Sequence, residues 1–445
     1  MTLDALLSGA SPAVDAQVAV MAGRLRAGGV GRGDAVCFLA PSTPETVAVY
    51  RACWRVGAAA VPIHHRAGRA DVERIVAAVA PAAGPDLDLP DGAPVEHDHA
   101  EPDDIAVVLF TSGSSGAAKG VRHTHAALAS KAEAMVAVHG LTSHDVVLMP
   151  APLAHVSGLL NGILVPGAAG MRTVLMARWD PDDALELIER ERVSFMVGPP
   201  TFFLDLLASP SFAPERVASL RLISSGGAGV SPAFVDRASA SLGCVVKRTY
   251  GSTEAPTVTT SHVGDDPAKA RATDGRAVGD VELRVDASRG ELELRGPGLF
   301  VGYTDPAATA AAFTPDGWFR TGDLAAIDGE GWLTILGRID DVIIRGGENV
   351  AAAELESVLE AHPGIEAAIV VGYPDARLGE RIAAFVVAPN GFDLATCAAW
   401  CKERGVARYK FPERLIVLDA LPVLASGKAD RSRLRAAQMQ SEQAP

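Results

Sequence analysis

The stretch IAVVLFTSGSSGAAKG, residues 105–120, passes from an apolar run directly into a loop rich in glycine and serine. Glycines let main-chain N–H groups approach an anion, serine and threonine hydroxyls add donors, and Lys119 adds a positive charge. The spacing is not that of a P-loop, because Lys119 is followed by glycine and Gly113 lies three residues before Gly116. Taken alone, the stretch predicts either a phosphate-binding loop or a surface turn after a buried strand.

Composition is that of an ordinary globular protein. The 445 residues are 48% hydrophobic and 21% charged, enough for about two to four domains with a large core. A net charge of −14 argues against sequence-independent binding of nucleic acid, which needs clustered cations. The sequence shows no signal peptide and no run near the ~20 apolar residues of a membrane span, so we expect a cytoplasmic protein without integral membrane association. The five cysteines are scattered, and Cys397 and Cys401 are predicted to be buried on one helix face.

Apolar β-rich runs alternate with helical patterns through most of the chain, which predicts an α/β fold with a large amino-terminal body of βαβ layers. Asp180 and Pro181 have the residue types that begin a helix. Between about 278 and 336, short alternating segments predict a β-rich, barrel-like subdomain of antiparallel strands. A helix, two strands, a helix and a strand then predict a small, mobile α+β domain. We place the boundary near Asp340, between residues 1–339 and 340–445.

Four further stretches carry groups suited to a nucleotide. Residues 249–254, TYGSTE, offer an aromatic ring, two hydroxyls and a carboxylate. Residues 317–325, GWFRTGDLA, place an aspartate after a tight turn, where carboxylates commonly bind ribose hydroxyls. Residues 337–349, GRIDDVIIRGGEN, join a cation, two acids and a double glycine, and residues 424–431, LASGKADR, hold a lysine on a Ser-Gly turn. Each is weak alone, but together they favour the phosphate-binding interpretation of the first loop.

These five stretches, in this order and with these separations, resemble those of the adenylate-forming superfamily, which contains acyl-CoA synthetases, adenylation domains of peptide synthetases and luciferases. The similarity extends from about Gly28 to Arg435. It implies that ATP and Mg²⁺ bind here, with Glu254 as the metal ligand and with Lys428, Thr253, Glu254 and Lys119 in the catalytic step. The ATP-binding residues implied by the resemblance are Thr111, Ser112, Gly113, Ser114, Ser115, Gly116, Lys119, Gly227, Ala228, Tyr250, Gly251, Thr253, Asp323, Arg338 and Lys428.

The resemblance also implies a reaction. A carboxylic acid attacks the α-phosphorus of ATP to give an acyl adenylate and pyrophosphate, and the thiol of coenzyme A then displaces AMP. The small domain rotates between the two steps about a hinge that corresponds to Asp340. Arg345, Gly346 and Gly347 are the implied coenzyme A contacts.

The stretch PAPLAHVSGLLNG, residues 150–162, bears on the choice of acid. Relatives that activate amino acids carry an aspartate here that pairs with the α-ammonium group, whereas this chain has Ala154 and His155. An ammonium group without a partner in an apolar pocket would be costly, so the expected substrate is a small-molecule carboxylic acid, of unspecified size, that lacks an α-amino group. The resemblance implies an acyl pocket formed by His155, Val156, Ser157, Phe202, Phe203 and Gly226.

Two departures from the family pattern stand out. Ala118 occupies a loop position that is usually proline, and the chain reaches the phosphate loop early, through an acidic linker that contains His97, Asp98 and His99. That triplet suggests either a metal ligand set or a solvated loop. The part of the large amino-terminal body that precedes the phosphate loop is therefore expected to be shorter than in other members of the family.

Other functions stay open at this point. The acceptor thiol could belong to a carrier protein, as in a freestanding acyl-AMP ligase, and the chain could instead be a non-catalytic nucleotide-binding protein that kept the fold. A homodimer is also compatible with the sequence.

Overall fold

A computed structural model describes residues 1–7, 12–111, 119–375, 377–424 and 429–441. The strands of this part of the chain are β1 (Ala35–Leu39), β2 (Ala59–Ile63), β3 (Ile105–Thr111), β4 (Lys119–Thr124), β5 (Val146–Met149), β6 (Arg172–Leu175), β7 (Phe195–Gly198), β8 (Leu222–Gly226), β9 (Val245–Tyr250), β10 (Thr259–Thr260), β11 (Arg276–Ala277), β12 (Glu282–Val285), β13 (Glu291–Arg295), β14 (Gly302–Tyr303), β15 (Phe319–Ile327), β16 (Leu333–Arg338), β17 (Val342–Arg345), β18 (Glu348–Ala351), β19 (Ala367–Asp375), β20 (Gly379–Val387) and β21 (Arg414–Leu418).

The helices pack on these strands. The α-helices are α1 (Leu3–Leu7), α2 (Pro12–Ala27), α3 (Pro44–Arg55), α4 (Arg69–Val79), α5 (His125–His139), α6 (Val156–Leu159), α7 (Val165–Ala169), α8 (Pro181–Glu191), α9 (Pro200–Ala208), α10 (Pro232–Leu242), α11 (Pro267–Ala272), α12 (Pro306–Ala312), α13 (Ala352–Glu360), α14 (Leu394–Glu403) and α15 (Arg431–Ser441). A π-helical turn, Leu160–Leu164, joins α6 to α7, and short 3₁₀ turns lie at Pro214–Val217, Ile339–Asp341 and Arg408–Lys410.

Two mainly parallel sheets form the large body. The first has the order β1-β2-β3-β4-β14, with β1, β2 and β3 parallel and the last two strands antiparallel. The second has the order β11-β10-β9-β8-β7-β5-β6 and is parallel from β6 to β9. Inner strands such as β3 and β5 are buried and rich in valine, isoleucine and leucine, as expected where helices cover a sheet. This confirms the predicted α/β class.

Helix starts follow local sequence rules. The Asp180 side chain accepts hydrogen bonds from the amides of Asp182 and Asp183 at 3.0 and 3.2 Å, and Pro181 occupies the first turn of α8, as predicted. Thr124 caps α5 in the same way, with its hydroxyl 3.2 Å from the Ala127 amide. Because β4 ends at Thr124, this cap sets the direction in which the chain leaves the hairpin of β3 and β4.

The β-rich region forms one antiparallel sheet in the order β12-β13-β15-β16, which confirms the predicted change of pattern. The carboxyl-terminal sheet has the order β18-β17-β20-β19, with β21 parallel to β20. Sequence reasoning gave α13, α14 and the last three strands but missed the hairpin of β17 and β18 and the helix α15. The change of sheet falls between Arg338 and Val342, beside the predicted boundary at Asp340, and independent motion of the two parts stays a prediction.

The acidic segment before β3 lies against the helices. The amide of Val95 donates to the Ala19 carbonyl at 2.9 Å, and the amide of His99 donates to the Arg55 carbonyl at the same distance. Asp98, a member of the predicted triplet, hydrogen-bonds to the Thr2 hydroxyl and to the Ala100 amide. The segment is therefore held along α2 and α3 by hydrogen bonds. A loop surrounded only by solvent would not make these contacts.

Candidate active site

The strands on either side of the predicted phosphate loop, β3 and β4, form a paired hairpin, here called the phosphate hairpin. Thr111 lies opposite Lys119 at the end of the β3–β4 ladder, so the intervening segment leaves and re-enters the sheet at neighbouring positions. That segment, residues 112–118, lies outside the described residues, and with it the predicted phosphate ligands Ser112, Gly113, Ser114, Ser115 and Gly116. What the structure fixes is the base of the loop.

Lys119 and Glu254 meet at one aromatic ring. The ammonium of Lys119 lies 5.4 Å from the ring centroid of Tyr303, on β14, and the Tyr303 hydroxyl donates a hydrogen bond of 2.9 Å to Glu254 Oε1. Burial, and then the neighbouring Glu254 carboxylate, raise the pKa of Tyr303, so its hydroxyl keeps its proton. Two of the predicted catalytic residues are thus brought together by a tyrosine that the sequence motifs did not include.

Tyr250, Asp323 and Arg338 form a second cluster. The Tyr250 hydroxyl donates to Asp323 Oδ2 at 2.5 Å, and Arg338 Nε lies 3.4 Å from Asp323 Oδ1. Asp323 and Arg338 face each other in the register of β15 and β16, which explains why two separate motifs meet. Burial raises the pKa of the Asp323 carboxyl, and the Tyr250 hydrogen bond opposes that shift. An acceptor, a cation and an aromatic ring are therefore held as one unit.

The glycine-rich end of β8 lies next to this cluster. Gly226 pairs with Thr249, the residue before Tyr250, so the chain leaves β8 beside the end of β9. Gly227 and Ala228 follow and are exposed. These two residues, which the family resemblance implies as ATP-binding, are thus accessible next to the end of β9.

His155 contacts histidines that sequence reasoning missed. It precedes α6, and its ring centroid lies 5.9 Å from that of His64, which stacks on His65 at 4.8 Å. Burial, with His65 and Arg66 nearby, lowers the pKa of His64 and favours its neutral form. The available signal was the adjacent His-His pair directly after β2, because strand ends are common positions for functional side chains.

The other predicted pocket residues divide between surface and core. Val156 and Ser157 are half-buried in the first turn of α6, and the Ser157 carbonyl accepts a hydrogen bond of 3.1 Å from Asn161 in the π-helical turn. Phe202 stacks on Trp179 with centroids 4.4 Å apart. Phe203 has no exposed surface and packs toward Phe234 in the core of the second sheet, so it supports α9 rather than forming a free pocket wall in this conformation.

The candidates of the carboxyl-terminal region do not converge on a single point. Asp340 lies in the 3₁₀ turn after β16, where its neighbour Asp341 accepts a hydrogen bond of 3.2 Å from Arg435. Arg345 is bound to Glu413, with Nε 2.6 Å from Oε1. Gly346 and Gly347 have φ values of +61° and +88° and make the tight turn between β17 and β18, which favours glycine at both positions. Lys428 lies outside the described residues.

The site suits magnesium only together with a phosphate ligand. The described part of the chain contains no cluster of three or more His, Cys, Asp or Glu residues that could hold a metal. Mg²⁺ usually binds through one or two carboxylates, water and substrate phosphates, so the single carboxylate of Glu254 fits such a complex.

The described helices include none long and apolar enough to cross a membrane.

Comparison with known proteins agrees with this geometry. A family profile described as AMP-binding enzyme matches residues 13–84 and 80–304, and a profile for the carboxyl-terminal domain of the same enzymes matches residues 354–428. The medium-chain fatty-acid–CoA ligase of Escherichia coli (strain K12) is 39% identical over 346 residues, which cover 75% of this chain and 61% of that ligase. The feruloyl-CoA synthase of an Amycolatopsis species is 33% identical over 452 residues, which cover 94% of this chain and 92% of the synthase.

A solved structure shows the same architecture. The ATP-bound MatB of Rhodopseudomonas palustris superimposes with a TM-score of 0.84 at 30% identity, and the match covers 95% of this chain and 92% of that protein. Sequence profile, relatives and fold all confirm the predicted resemblance to adenylate-forming enzymes. The chain belongs to the family of AMP-binding enzymes.

Proposed function

We propose that this chain is an acyl-CoA synthetase that uses ATP to activate a carboxylic acid and transfers the acyl group to coenzyme A. The observation that carries the proposal is the pair of hydrogen bonds Tyr250–Asp323 and Tyr303–Glu254, in which Tyr250 ends β9 and Glu254 follows it by four positions. The first bond orients the Asp323 carboxylate, an acceptor suited to ribose hydroxyls. The second orients the Glu254 carboxylate beside Lys119 at the base of the phosphate hairpin. The relatives named as CoA ligases support the same reaction.

In the first step, a carboxylate oxygen of the acid attacks the α-phosphorus of ATP, and the bond to the β-phosphate oxygen breaks. Negative charge increases on the phosphate oxygens, so the work of the chain is mainly placement and electrostatic stabilisation. The Lys119 ammonium and the Thr253 hydroxyl act on the phosphates, and Lys428 contacts both the acid and the α-phosphate. Glu254 and the ATP phosphates would hold magnesium, which would supply positive charge that neutralises the triphosphate.

In the second step, the sulfur of coenzyme A attacks the carbonyl carbon of the acyl adenylate, and AMP leaves with the bonding electrons. The two steps need different groups around the same carbonyl, which a rotation of the small domain about Asp340 would provide. After that rotation, Arg345 and the turn at Gly346 and Gly347 would line the path of the thiol.

The surroundings of His155 support an acid without an α-amino group. Ala154 is 6% exposed and belongs to an apolar core cluster that includes Leu153 and Leu159. None of these side chains can pair with an ammonium group. His64, His65 and His155 add polar edges near this apolar wall, so an acid with an aromatic or polar substituent also fits.

The proposal is tested by acid-dependent exchange of labelled pyrophosphate into ATP. The purified chain is assayed with short-chain, medium-chain, aromatic and alicyclic acids and with amino acids, and thioester formation is then measured with coenzyme A and with a carrier protein. We expect exchange with at least one carboxylic acid and turnover with coenzyme A. Turnover with the carrier protein alone would identify an acyl-AMP ligase, and absence of exchange across the panel would contradict the enzymatic function.

A further inference from the structure

Residues 251–257, here called the 251–257 loop, carry Thr253 and Glu254 in an unusual backbone conformation. Thr257 has a φ of +39°, which is rare for a β-branched residue. At Gly251 a Cβ atom would lie 2.4 Å from the Thr257 amide nitrogen, so the two ends of the loop are in close contact. A strained conformation of this kind persists only when surrounding contacts hold it.

The carbonyl groups of this loop are held from outside. The amide of Phe300 donates to the Glu254 carbonyl at 2.8 Å. His123 Nε2 lies 2.7 Å from the Thr253 carbonyl oxygen, and Lys131 Nζ donates to the Thr257 carbonyl at 3.1 Å. The carbonyls of both proposed phosphate-site residues are therefore fixed, together with that of the strained threonine.

His123 is suited to hold one tautomer. Its ring has no exposed surface, and burial lowers its pKa to about 4, so the imidazole is neutral near neutral pH. Because a carbonyl can only accept, the single ring proton lies on Nε2, and the other ring nitrogen, Nδ1, has no hydrogen-bond partner in the part of the chain that the structure describes. The residue therefore makes one directed hydrogen bond, to Thr253.

Lys131 contacts carbonyl groups from a buried position. It is 3% exposed, and its ammonium also lies 3.4 Å from the Val278 carbonyl. Burial lowers its pKa to about 8. His123 lies on β4, the second strand of the phosphate hairpin, and Lys131 lies on α5, which directly follows β4.

We propose that His123 and Lys131 are positioning residues, which hold the 251–257 loop in register with the phosphate hairpin so that Thr253 and Glu254 face the triphosphate. The inference rests on the proposed function. The two residues extend from β4 and α5 to the 251–257 loop, and they connect the two segments that would bind phosphate. A displacement of about 1 Å at such a site can cost about 10²-fold in rate.

The test compares His123→Leu, which leaves the Thr253 carbonyl without its donor, with His123→Gln, whose amide nitrogen can replace Nε2. Pyrophosphate exchange is measured against ATP and magnesium concentration. Thioester formation is measured separately, from a supplied acyl adenylate and coenzyme A. Calorimetry gives ATP affinity, and thermal melting reports folding.

We expect His123→Leu to lower the kcat of exchange by about 10- to 100-fold, with a changed magnesium requirement and an almost unchanged thioester step. His123→Gln should recover most of the loss. Lys131→Met should act in the same direction and more weakly, since it releases only the Thr257 end of the loop.

Matched controls are available on α5 and β9. His139 is buried at the end of α5, and neither of its ring nitrogens has a hydrogen-bond partner among the described residues. Lys247 is buried on β9 with its ammonium on the Val138 and Ser261 carbonyls, outside the loop. His139→Leu and Lys247→Met should leave the ratio of the two half-reactions unchanged.

Three results would overturn the inference: an unchanged exchange rate in His123→Leu, an equal loss in both half-reactions, or no recovery in His123→Gln. If His123→Leu does not fold, the comparison of His123→Gln with Lys131→Met decides between the same outcomes. Absence of exchange in the unmodified chain would instead contradict the proposed function.

Discussion

The large body and the carboxyl-terminal region differ in how their polar side chains are used. In the large body, the hydroxyls of Tyr250 and Tyr303 donate to the carboxylates of Asp323 and Glu254, and Arg338 lies 3.4 Å from Asp323 as well. In the carboxyl-terminal region, cations are bound to carboxylates of the same region: Arg345 to Glu413, Lys410 to Glu354 and Arg431 to Glu356.

This difference indicates a division of work. A carboxylate that accepts from a tyrosine hydroxyl, as Glu254 does, keeps acceptor positions for a substrate, whereas a cation that already has a carboxylate partner must give up that partner before it binds a phosphate. We therefore propose that the nucleotide site is prepared in the large body and that the carboxyl-terminal region contributes through residues that change surroundings. The predictions below test that division, beginning with the largest expected effect.

Replacing Lys428 by alanine tests whether the small domain takes part in adenylation. Loss of one charge that stabilises the transition state is expected to lower the kcat of pyrophosphate exchange by about 10²- to 10³-fold. ATP affinity should change much less, because the large body provides most of the ATP contacts. Lys402→Ala, at an exposed position on α14, is the control. A comparable loss of ATP binding in Lys428→Ala would contradict the division.

Replacing Asp323 by alanine tests whether the large body prepares the ribose contact. Hydrogen bonds to a charged group contribute about 1.5 to 3 kcal/mol, so the KM for ATP should rise by about 10- to 100-fold with a smaller change in kcat. Tyr250→Phe removes only the orienting hydroxyl and should raise this KM by about 5-fold. Steady-state kinetics at saturating acid measures both, and equal effects of the two variants would be unexpected.

Replacing Arg345 by alanine examines the second half-reaction. If Arg345 leaves Glu413 to contact a phosphate of coenzyme A, its loss should raise the KM for coenzyme A by about 3- to 10-fold and leave pyrophosphate exchange unchanged. Glu413→Gln weakens the competing ion pair and should not raise that KM. An unchanged KM in Arg345→Ala would leave the residue with a structural role only.

Glu360 gives the smallest expected effect, on the contact between the two regions. Burial raises the pKa of this α13 carboxyl to about 7, and the Ser231 hydroxyl, at the start of α10, hydrogen-bonds to it. Because the folded-state pKa lies above the unfolded value of about 4.3, the free energy of unfolding should fall as pH rises from about 4.3 to 7.

The check is thermal melting of the unmodified chain and of Glu360→Gln between pH 5 and pH 8. Over this range the variant should show a weaker dependence of Tm on pH, by roughly 1 to 3 °C. Identical pH profiles would show that Glu360 does not ionise with an altered pKa in the folded protein.

Sequence reasoning succeeded where local chemistry decides the structure. The start of α8 at Asp180 follows from capping, and Asp323 meets Arg338 because both strands of one hairpin carry a recognisable motif. Cys397 and Cys401 are buried, as their spacing on a helix predicts. The hairpin at Gly346 and Gly347 was missed because its residues were interpreted only as a binding motif.

The remaining site residues depend on long-range topology. Tyr303 lies on a two-residue strand and reaches Glu254 only because β14 pairs with β4. His64 meets His155 across 91 positions of sequence, and no period or motif links them. His123 and Lys131 lie within predictable elements, but their acceptors on the 251–257 loop are set by how the two sheets pack. Such contacts follow from the assembled fold rather than from local pattern.

The most direct measurement is mass spectrometry of the purified chain incubated with ATP, magnesium and an active acid, first without coenzyme A and then with it. The account predicts an enzyme-bound acyl adenylate and free pyrophosphate in the first stage. It predicts conversion of that adenylate to acyl-CoA and AMP in the second stage. Formation of neither acyl adenylate nor pyrophosphate with any acid of the panel would contradict the claim that the site in the large body adenylates a carboxylic acid.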